Sequence, residues 1–323
     1  MISRRITRLQ RSPMSSRVRA SGHAVWGGEE EVISARYRIR CNACNMQVMP
    51  LICLHVASKR SVHMLGPTPG SFAWSETTEG VLNAREKAHL IYQLVRSQMD
   101  EGLSRLAWRL GHSSVRKRAV EPSRVQAPDS ALCRRVEARV AAHYSPALLA
   151  HCYRSWWMGA LVGEALGIEA DAEMLYVACL MHDVGLTDAH ASCIAETAFQ
   201  VTGAREARRL ALAEQWHDDD AIRLYESISY HLNPWLDARR HTPEALLLKY
   251  GAHMDVVGAY RHLLSEEALR AIHRHHPREG FRQEITRSIV SAPHRAGGHA
   301  HCLRRLGFAR LAGNNPLEQY ATS

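Results

Sequence analysis

The stretch CLMHDVGLT, residues 179–187, places a histidine and an aspartate side by side at the end of an apolar run and just before a glycine. Buried segments usually exclude both residue types. If the run is a helix, the carboxylate of Asp183 lies in its last turn, where the negative end of the helix dipole costs about 0.3 to 1 kcal/mol. A bound cation would reverse that cost, whereas a frayed, exposed helix end would make His182 and Asp183 harmless. The rest of the sequence has to distinguish these two interpretations.

On both sides of this stretch, apolar residues recur at helical spacing between residues that typically begin or end helices. Ser145 and Pro146 favour a helix start and Gly167 favours a helix end, so a helix is predicted over 145–167. Asp171 and Gly185 bound the next helix in the same way. Almost no segment alternates with the two-residue period of a β-strand, so the predicted fold class is all-α. Further helices are predicted at about 82–111, 193–215, 219–231, 243–260, 265–275 and 279–291.

The composition narrows the class of protein. The chain has 323 residues, a net charge of +9 and 46% hydrophobic residues, which is enough for a well-buried core. Its arginines are scattered, without the basic stripe interleaved with aromatic residues that would indicate nucleic-acid binding. No run of about 18 apolar residues predicts a membrane span. The eight cysteines are dispersed and several lie in apolar helical runs, which predicts reduced thiols in a cytoplasmic protein.

The first part of the chain differs from the rest. Residues 1–70 show neither helical nor strand periodicity, so they are predicted to form a poorly structured extension, followed by one helical domain over 71–323. Cys41 and Cys44 form a CxxC pair in this extension. No second pair follows at the spacing of a zinc ribbon, so a zinc site is not predicted there.

Two other apolar helices carry polar residues that need an explanation. His151 lies among apolar residues, with Arg154 one turn further on the same face. Asp255 lies in GAHMDVVGA, where the residues three and four positions away are all Gly or Ala, so other helices can approach it closely. An unpaired aspartate there would need a cation or hydrogen-bond donors. The alternatives are a core histidine bonded to a carbonyl and a structural aspartate paired with an arginine.

Together, His151, His182, Asp183 and Asp255 offer two imidazoles and two carboxylates from three predicted helices. Mixed nitrogen and oxygen ligands favour a divalent transition metal such as Fe, Mn, Co or Zn over Mg or Ca. Four protein ligands leave positions for water and substrate, and a water bound to such a metal becomes a nucleophile near neutral pH. The predicted site is therefore a metal centre in which Asp183 is also catalytic.

The order H…HD…D on helices resembles the HD-domain superfamily of metal-dependent hydrolases. The finer similarity is to bacterial relatives of cyanamide hydratase, through His151, Arg154, Ser155 and Trp156 and through the segments LYVACLMHDVGLT, FQVTGA and GAHMDVVG. The similarity runs from about residue 72 to the end of the chain. It implies a compact helical bundle around one metal held by the four residues named above. Some HD proteins bind a second metal through further histidines, for which His217 and His231 are candidates, but one metal is favoured.

The resemblance implies a small-molecule substrate, and three functions compete. The first is a phosphohydrolase that uses a metal-activated water on a nucleotide-like phosphate, with Arg154, Trp156 and His231 at the substrate. The second is a cyanamide-hydratase-like lyase that adds water to a small nitrile, and the third is a non-catalytic module that binds a ligand. A nucleotide pocket needs several cations and a stacking aromatic residue, whereas a nitrile pocket needs little beyond the metal and apolar walls. A homo-oligomer is possible under each of them.

Overall fold

A computed structural model of the chain describes residues 67–112 and 122–321, and within these residues every regular element is helical. The predicted all-α fold is therefore confirmed. The predictions for residues 1–66, including the Cys41–Cys44 pair, lie outside the described residues. The twelve α-helices of the described residues are α1 (Phe72–Thr78), α2 (Ala84–Arg109), α3 (Ala131–His143), α4 (Pro146–Leu166), α5 (Ala172–Met181), α6 (Phe199–Ala213), α7 (Asp218–Ser229), α8 (Pro243–Val257), α9 (Glu266–His275), α10 (Phe281–Thr286), α11 (His299–Arg305) and α12 (Phe308–Gly313).

The ends of α4 follow from local hydrogen bonds. The Ser145 side chain accepts a hydrogen bond from the backbone N–H of Leu148, and Pro146 occupies the first helical position. At the other end Gly167 adopts a φ of 70°, a left-handed conformation that favours glycine, and its N–H bonds back to the Gly163 carbonyl. The start and end predicted for this helix are therefore confirmed.

Glycines allow α4 and α8 to pack closely against each other. A Cβ atom on Gly251 of α8 would overlap the carbonyl oxygen of Ser155, and one on Gly159 of α4 would lie 2.6 Å from the carbonyl oxygen of Leu247. Gly251, one of the four small residues around Asp255, thus has the role predicted for it. This approach brings His151 on α4 opposite Asp255 on α8.

Helix α5 is the centre of the core, and all its residues from Met174 to Met181 are buried. It was predicted to reach Gly185 but ends at Met181, so His182 and Asp183 follow the helix rather than forming its last turn. The Nδ1 atom of His182 donates to the Cys179 carbonyl at 2.7 Å, and a short 3-10 turn begins at Val184. His182 and Asp183 therefore lie at the turn between α5 and the 3-10 turn.

Other predicted boundaries shift for similar reasons. Helix α6 begins at Phe199 rather than near residue 193, because residues 193–198 form turns and the Ala198 N–H bonds to the Glu79 carbonyl. The predicted helix at 279–291 is α10 followed by a wider π-helical turn over Arg287–Ser291. Helices α11 and α12 were not predicted. None of the described helices has the length and apolar character that crossing a membrane requires.

Candidate metal centre

Three of the predicted ligands meet at the end of α5. The Nε2 atoms of His151 and His182 lie 3.2 Å apart, and each lies 3.4 Å from Oδ2 of Asp183. All three side chains are buried, and their ligand atoms lie close enough to share one cation. The cluster therefore fits a metal site.

Hydrogen bonds on the far side of the rings prepare these histidines for a cation. Nδ1 of His151 donates to Oδ2 of Asp255 at 2.7 Å, and Nδ1 of His182 donates to the Cys179 carbonyl at 2.7 Å. A neutral imidazole bonded in this way carries its lone pair on Nε2. Two such lone pairs 3.2 Å apart beside a carboxylate repel one another, and a cation between them removes that repulsion. Ligating histidines in metalloproteins are commonly held by the same kind of outer hydrogen bond.

The structure does not bring Asp255, the fourth predicted ligand, into this cluster. Its Oδ1 accepts from Nε of Arg154 at 2.8 Å and from Nη1 of Arg278 at 2.5 Å, while its Oδ2 accepts from Nη2 of Arg154 at 2.9 Å and from His151. A carboxylate has about four lone-pair sites, and all four are used here. Asp255 thus lies behind His151, as a partner of its ring rather than as a neighbour of the cation position.

Arg154 was predicted to bind substrate, but the structure buries it completely. Besides its two bonds to Asp255, its Nη1 donates to the carbonyls of His276 and Pro277, at 3.3 and 2.7 Å. Its guanidinium also packs 4.9 Å from the centre of the Phe281 ring, which stacks on His151. Every part of this side chain is engaged within the protein, so Arg154 supports the centre instead of facing the substrate.

Of the other two residues predicted to contact substrate, the structure brings one to the centre. Nε2 of His231 lies 3.8 Å from Oδ1 of Asp183, while its Nδ1 donates to the Ile228 carbonyl at 2.7 Å. Trp156 instead packs against Trp157 and Tyr176 in the core, on the other side of α4 from the cluster's cavity.

Burial and charge set the protonation of these groups. Burial lowers the pKa of His231 to about 3, with the neighbouring His182 acting in the same direction, so the ring is neutral near pH 7. Burial raises the pKa of Asp255, but the charges of Arg154 and Arg278 outweigh this and hold it well below its usual range. Asp255 is therefore an anion that stays charged over the whole range in which the protein is handled.

The cluster opens into a cavity of about 190 Å³. His151, His182, Asp183 and His231 contribute the polar atoms at the centre, and Ser97, Gln98, Glu101 and His253 add polar groups elsewhere. Among the described residues that line it, none is Lys or Arg. Most of the wall is apolar and comes from α2, α6, α8, α10 with its π-helical turn, α11 and α12, including Leu94, Phe199, Val256, Ile289, Leu303 and Phe308.

Sequence reasoning missed this wall. Its C-terminal part, from Ala300 to Leu311, lies on two short helices rich in arginine. Their leucines and Phe308 alone carry a signal, because they are apolar residues at roughly helical spacing in an otherwise charged segment. Six or seven residues are too few for that spacing to stand out.

A comparison with curated proteins found no match. A comparison with protein-family models found one, which begins within α4 and ends just after α8. This span contains the whole cluster, together with Asp255 and His231. Residues 148–260, which carry the candidate metal centre, match the family model of the HD domain, and this match supports the HD-domain superfamily of metal-dependent hydrolases.

Proposed function

We propose that the protein is a metal-dependent enzyme that adds water to a small, uncharged electrophile, as a cyanamide-hydratase-like lyase does with a nitrile. The observation that carries this proposal is the chemistry of the cavity, where a His-His-Asp cluster faces walls that are largely apolar and contain no Lys or Arg among the described residues. The HD-domain match supports metal-dependent chemistry in general.

The same observation argues against the phosphohydrolase that the sequence favoured. Arg154, the cation expected to hold a phosphate, is turned away and fully used by Asp255 and two carbonyls. Glu101 is the charged group that the cavity adds beyond the centre, and it would repel a phosphate. A volume of about 190 Å³ also lies below the roughly 300 to 1,000 Å³ usual for ligands of drug size. A nucleotide would thus meet neither the charges nor the space that it requires.

The residues that would hold the metal are His151, His182 and Asp183. A divalent transition metal bound there would lower the pKa of a coordinated water and polarise the electrophile. Asp255 fixes the ring of His151, and Arg154 and Arg278 in turn fix Asp255, so the imidazole presents Nε2 without rotating. The apolar walls exclude other water from the reacting group.

Asp183 and His231 have the positions to handle the proton. Oδ2 of Asp183 faces the two histidines, and its Oδ1 faces Nε2 of His231. His231 is neutral, because burial lowers its pKa to about 3, so its ring can accept a hydrogen bond from the attacking water and orient it. We assign the transfer of the proton to Oδ1 of Asp183, the carboxylate oxygen that faces His231. It would accept a proton from the attacking water and return it to the nitrile nitrogen, so that one water adds across the C≡N bond.

The test joins metal content to substrate selectivity. Protein purified without chelator is analysed for metal, loaded with Fe, Mn, Co or Zn, and assayed against small nitriles and against nucleoside monophosphates. We expect about one metal per chain and turnover of a nitrile only. His182→Ala should lose both metal and turnover, whereas His217→Ala, at an exposed position at the start of α7, should keep both.

Each other outcome points elsewhere. Turnover of a nucleotide but not of any nitrile would restore the phosphohydrolase. Stable metal uptake without turnover of either class would favour a non-catalytic ligand-binding module. Failure to take up any of the four metals would refute the metal centre itself.

A further inference from the structure

We propose that the apolar part of the cavity is a subsite for a short alkyl or aryl group of the substrate, so that the preferred substrate carries a compact polar head on a hydrophobic body. This inference rests on the proposed function for the chemistry of the head. It goes further by assigning the body of the substrate to a particular wall of the protein.

The wall adjoins the metal centre directly. Phe199 lines the cavity 5.7 Å from the ring of His231, and Phe281, behind the wall, stacks on His151 with ring centres 4.7 Å apart. Both phenylalanines belong to one apolar cluster that also includes Ile285, Ile289 and Ala300. A group attached to an electrophile at the centre therefore passes straight into hydrocarbon surroundings.

The outer part of the same wall is open. Leu306 is 42% exposed and Leu311 is 44% exposed, and both line the cavity. Single exposed leucines are common on protein surfaces, but apolar side chains grouped at a cavity mark a place where an apolar group can bind. Their position at the cavity means that a hydrophobic body entering it would cover them as well.

The size of the cavity limits the size of the group. A volume of about 190 Å³ is somewhat larger than an apolar protein cavity of about 150 Å³ that binds benzene. This fits a chain of about five to seven carbons or one aromatic ring. Burial of each added methylene in such a site raises affinity about fourfold. Affinity should therefore rise steeply with chain length until the cavity is full and then stop rising.

The experiment uses 1-alkanols from ethanol to 1-decanol, which carry the hydrophobic body without a group that reacts. Dissociation constants are measured by calorimetry on the full chain, both metal-free and metal-loaded. We expect affinity to rise about fourfold per carbon up to about 1-heptanol and then to level off or fall, in both forms of the protein. An affinity that does not change with chain length would overturn the proposal.

Matched variants locate the binding. Ala300→Leu puts a larger side chain into the wall and should weaken the binding of 1-hexanol at least tenfold, while ethanol binding and metal content stay the same. Ala213→Leu makes the same change at an exposed position on α6 and should change neither. Leu303→Ala enlarges the cavity, so the alkanol that binds most tightly should be a longer one. This variant tests the location of the subsite if Ala300→Leu does not fold.

The two proposals fail separately. Chain-length dependence that responds to Ala300→Leu, without turnover of any nitrile, would support this subsite and refute the proposed reaction. If short nitriles are turned over but alkanol affinity is unchanged in Ala300→Leu and Leu303→Ala, the reaction is supported and the subsite is refuted.

Discussion

Two buried carboxylates near the centre perform opposite tasks. Asp183 meets only histidines, at 3.4 and 3.8 Å, and so keeps lone pairs for a cation. Asp255 meets two arginines and a histidine at 2.5 to 2.9 Å and has none left. A residue's type therefore does not decide whether it binds the metal. The donors around it decide, and these come from distant parts of the chain.

The two aspartates should accordingly differ in their effect on stability. Asp255→Asn leaves Arg154 buried without a counter-charge and Arg278 with Glu318 alone, so we expect it to lower the free energy of unfolding by about 3 to 5 kcal/mol. Asp183→Asn removes a buried anion whose partners are histidines and not arginines, so in the metal-free protein we expect a smaller loss, of about 1 to 2 kcal/mol. Urea denaturation of the metal-free variants measures both values. Equal losses for the two variants would contradict the division of tasks.

Lys249 provides a test of pH dependence. Its side chain is 2% exposed, and burial lowers its pKa from 10.5 to about 8, although Asp100 and Glu101 act in the opposite direction. Below pH 8 the lysine is protonated in both the folded and the unfolded chain, so folding buries a charge at a cost of about 3 kcal/mol. Between pH 8 and 10.5 the unfolded chain binds more protons, so this cost shrinks as the pH rises.

We therefore expect Lys249→Met to be more stable than the wild type at pH 7, by up to about 3 kcal/mol, and this advantage to disappear as the pH approaches 10.5. Chemical denaturation at several pH values measures the difference. Lys87→Met, at an exposed lysine of α2, should show no such trend. A difference for Lys249→Met that grows with rising pH would be the wrong sign.

At the scale of helices, the contact between α4 and α8 positions the centre. We expect Gly251→Ala to lower stability by about 1 to 3 kcal/mol, because the new methyl group would overlap the Ser155 carbonyl and force the helices apart. Metal affinity should fall as well, since Asp255 would then lose its alignment with His151. Thermal unfolding and metal titration measure the two effects.

Gly102→Ala is the matched control. Gly102 lies in the middle of α2, is exposed, and would bring its new methyl group near no other atom. Alanine is the better helix former there, so we expect stability to rise by up to about 1 kcal/mol. If both substitutions raised stability, the close approach of α4 and α8 would not be a constraint.

Helix ends were predictable where a local hydrogen bond sets them. Ser145, Pro146 and Gly167 delimit α4 through contacts within four residues, and such contacts can be read from neighbouring letters of the sequence. The end of α5 was missed because His182 bonds back to Cys179 and the chain then turns over Gly185 towards α6. That turn depends on packing between α5 and α6, and the spacing of apolar residues within one helix carries no information about such packing.

At the scale of the whole molecule, three of the four residues predicted to bind the metal come together in one cluster, and His231 joins them. These residues could be predicted because each is a polar residue within an apolar helical segment of the sequence. The partners of Asp255 were not predictable, because Arg278 lies 23 residues further along the chain and the carbonyls that hold Arg154 come from the same distant loop. Nothing in the sequence of α4 shows that Arg154 turns towards that loop.

The start of the folded part can be tested by truncation. A chain that begins at residue 67 keeps the bond from Asn233 to the Pro69 carbonyl and that from the Phe72 N–H to Glu226. We expect it to match the full chain in melting temperature and metal content. A chain that begins at residue 80 also loses Trp74, which is 2% exposed, so it should lose at least about 3 kcal/mol. Destabilisation by the shorter truncation would show that residues 1–66 contribute to the fold.

The antiparallel bridge between Val81 and Gly298 holds the segment of α11 and α12 next to the centre, although this segment lies outside the residues that match the HD domain. The cavity wall is thus shared between residues inside that match, such as Phe199 and Val256, and the stretch from Ala300 to Leu311 outside it. Under the two proposals above, substitutions between Ala300 and Leu311 would change what the cavity accepts, whereas Asn315 and Glu318 should be kept because they bond to Asp255 and Arg278. Directed evolution aimed at a new substrate should start between Ala300 and Leu311, because that stretch offers diversity at the least risk to the chemistry.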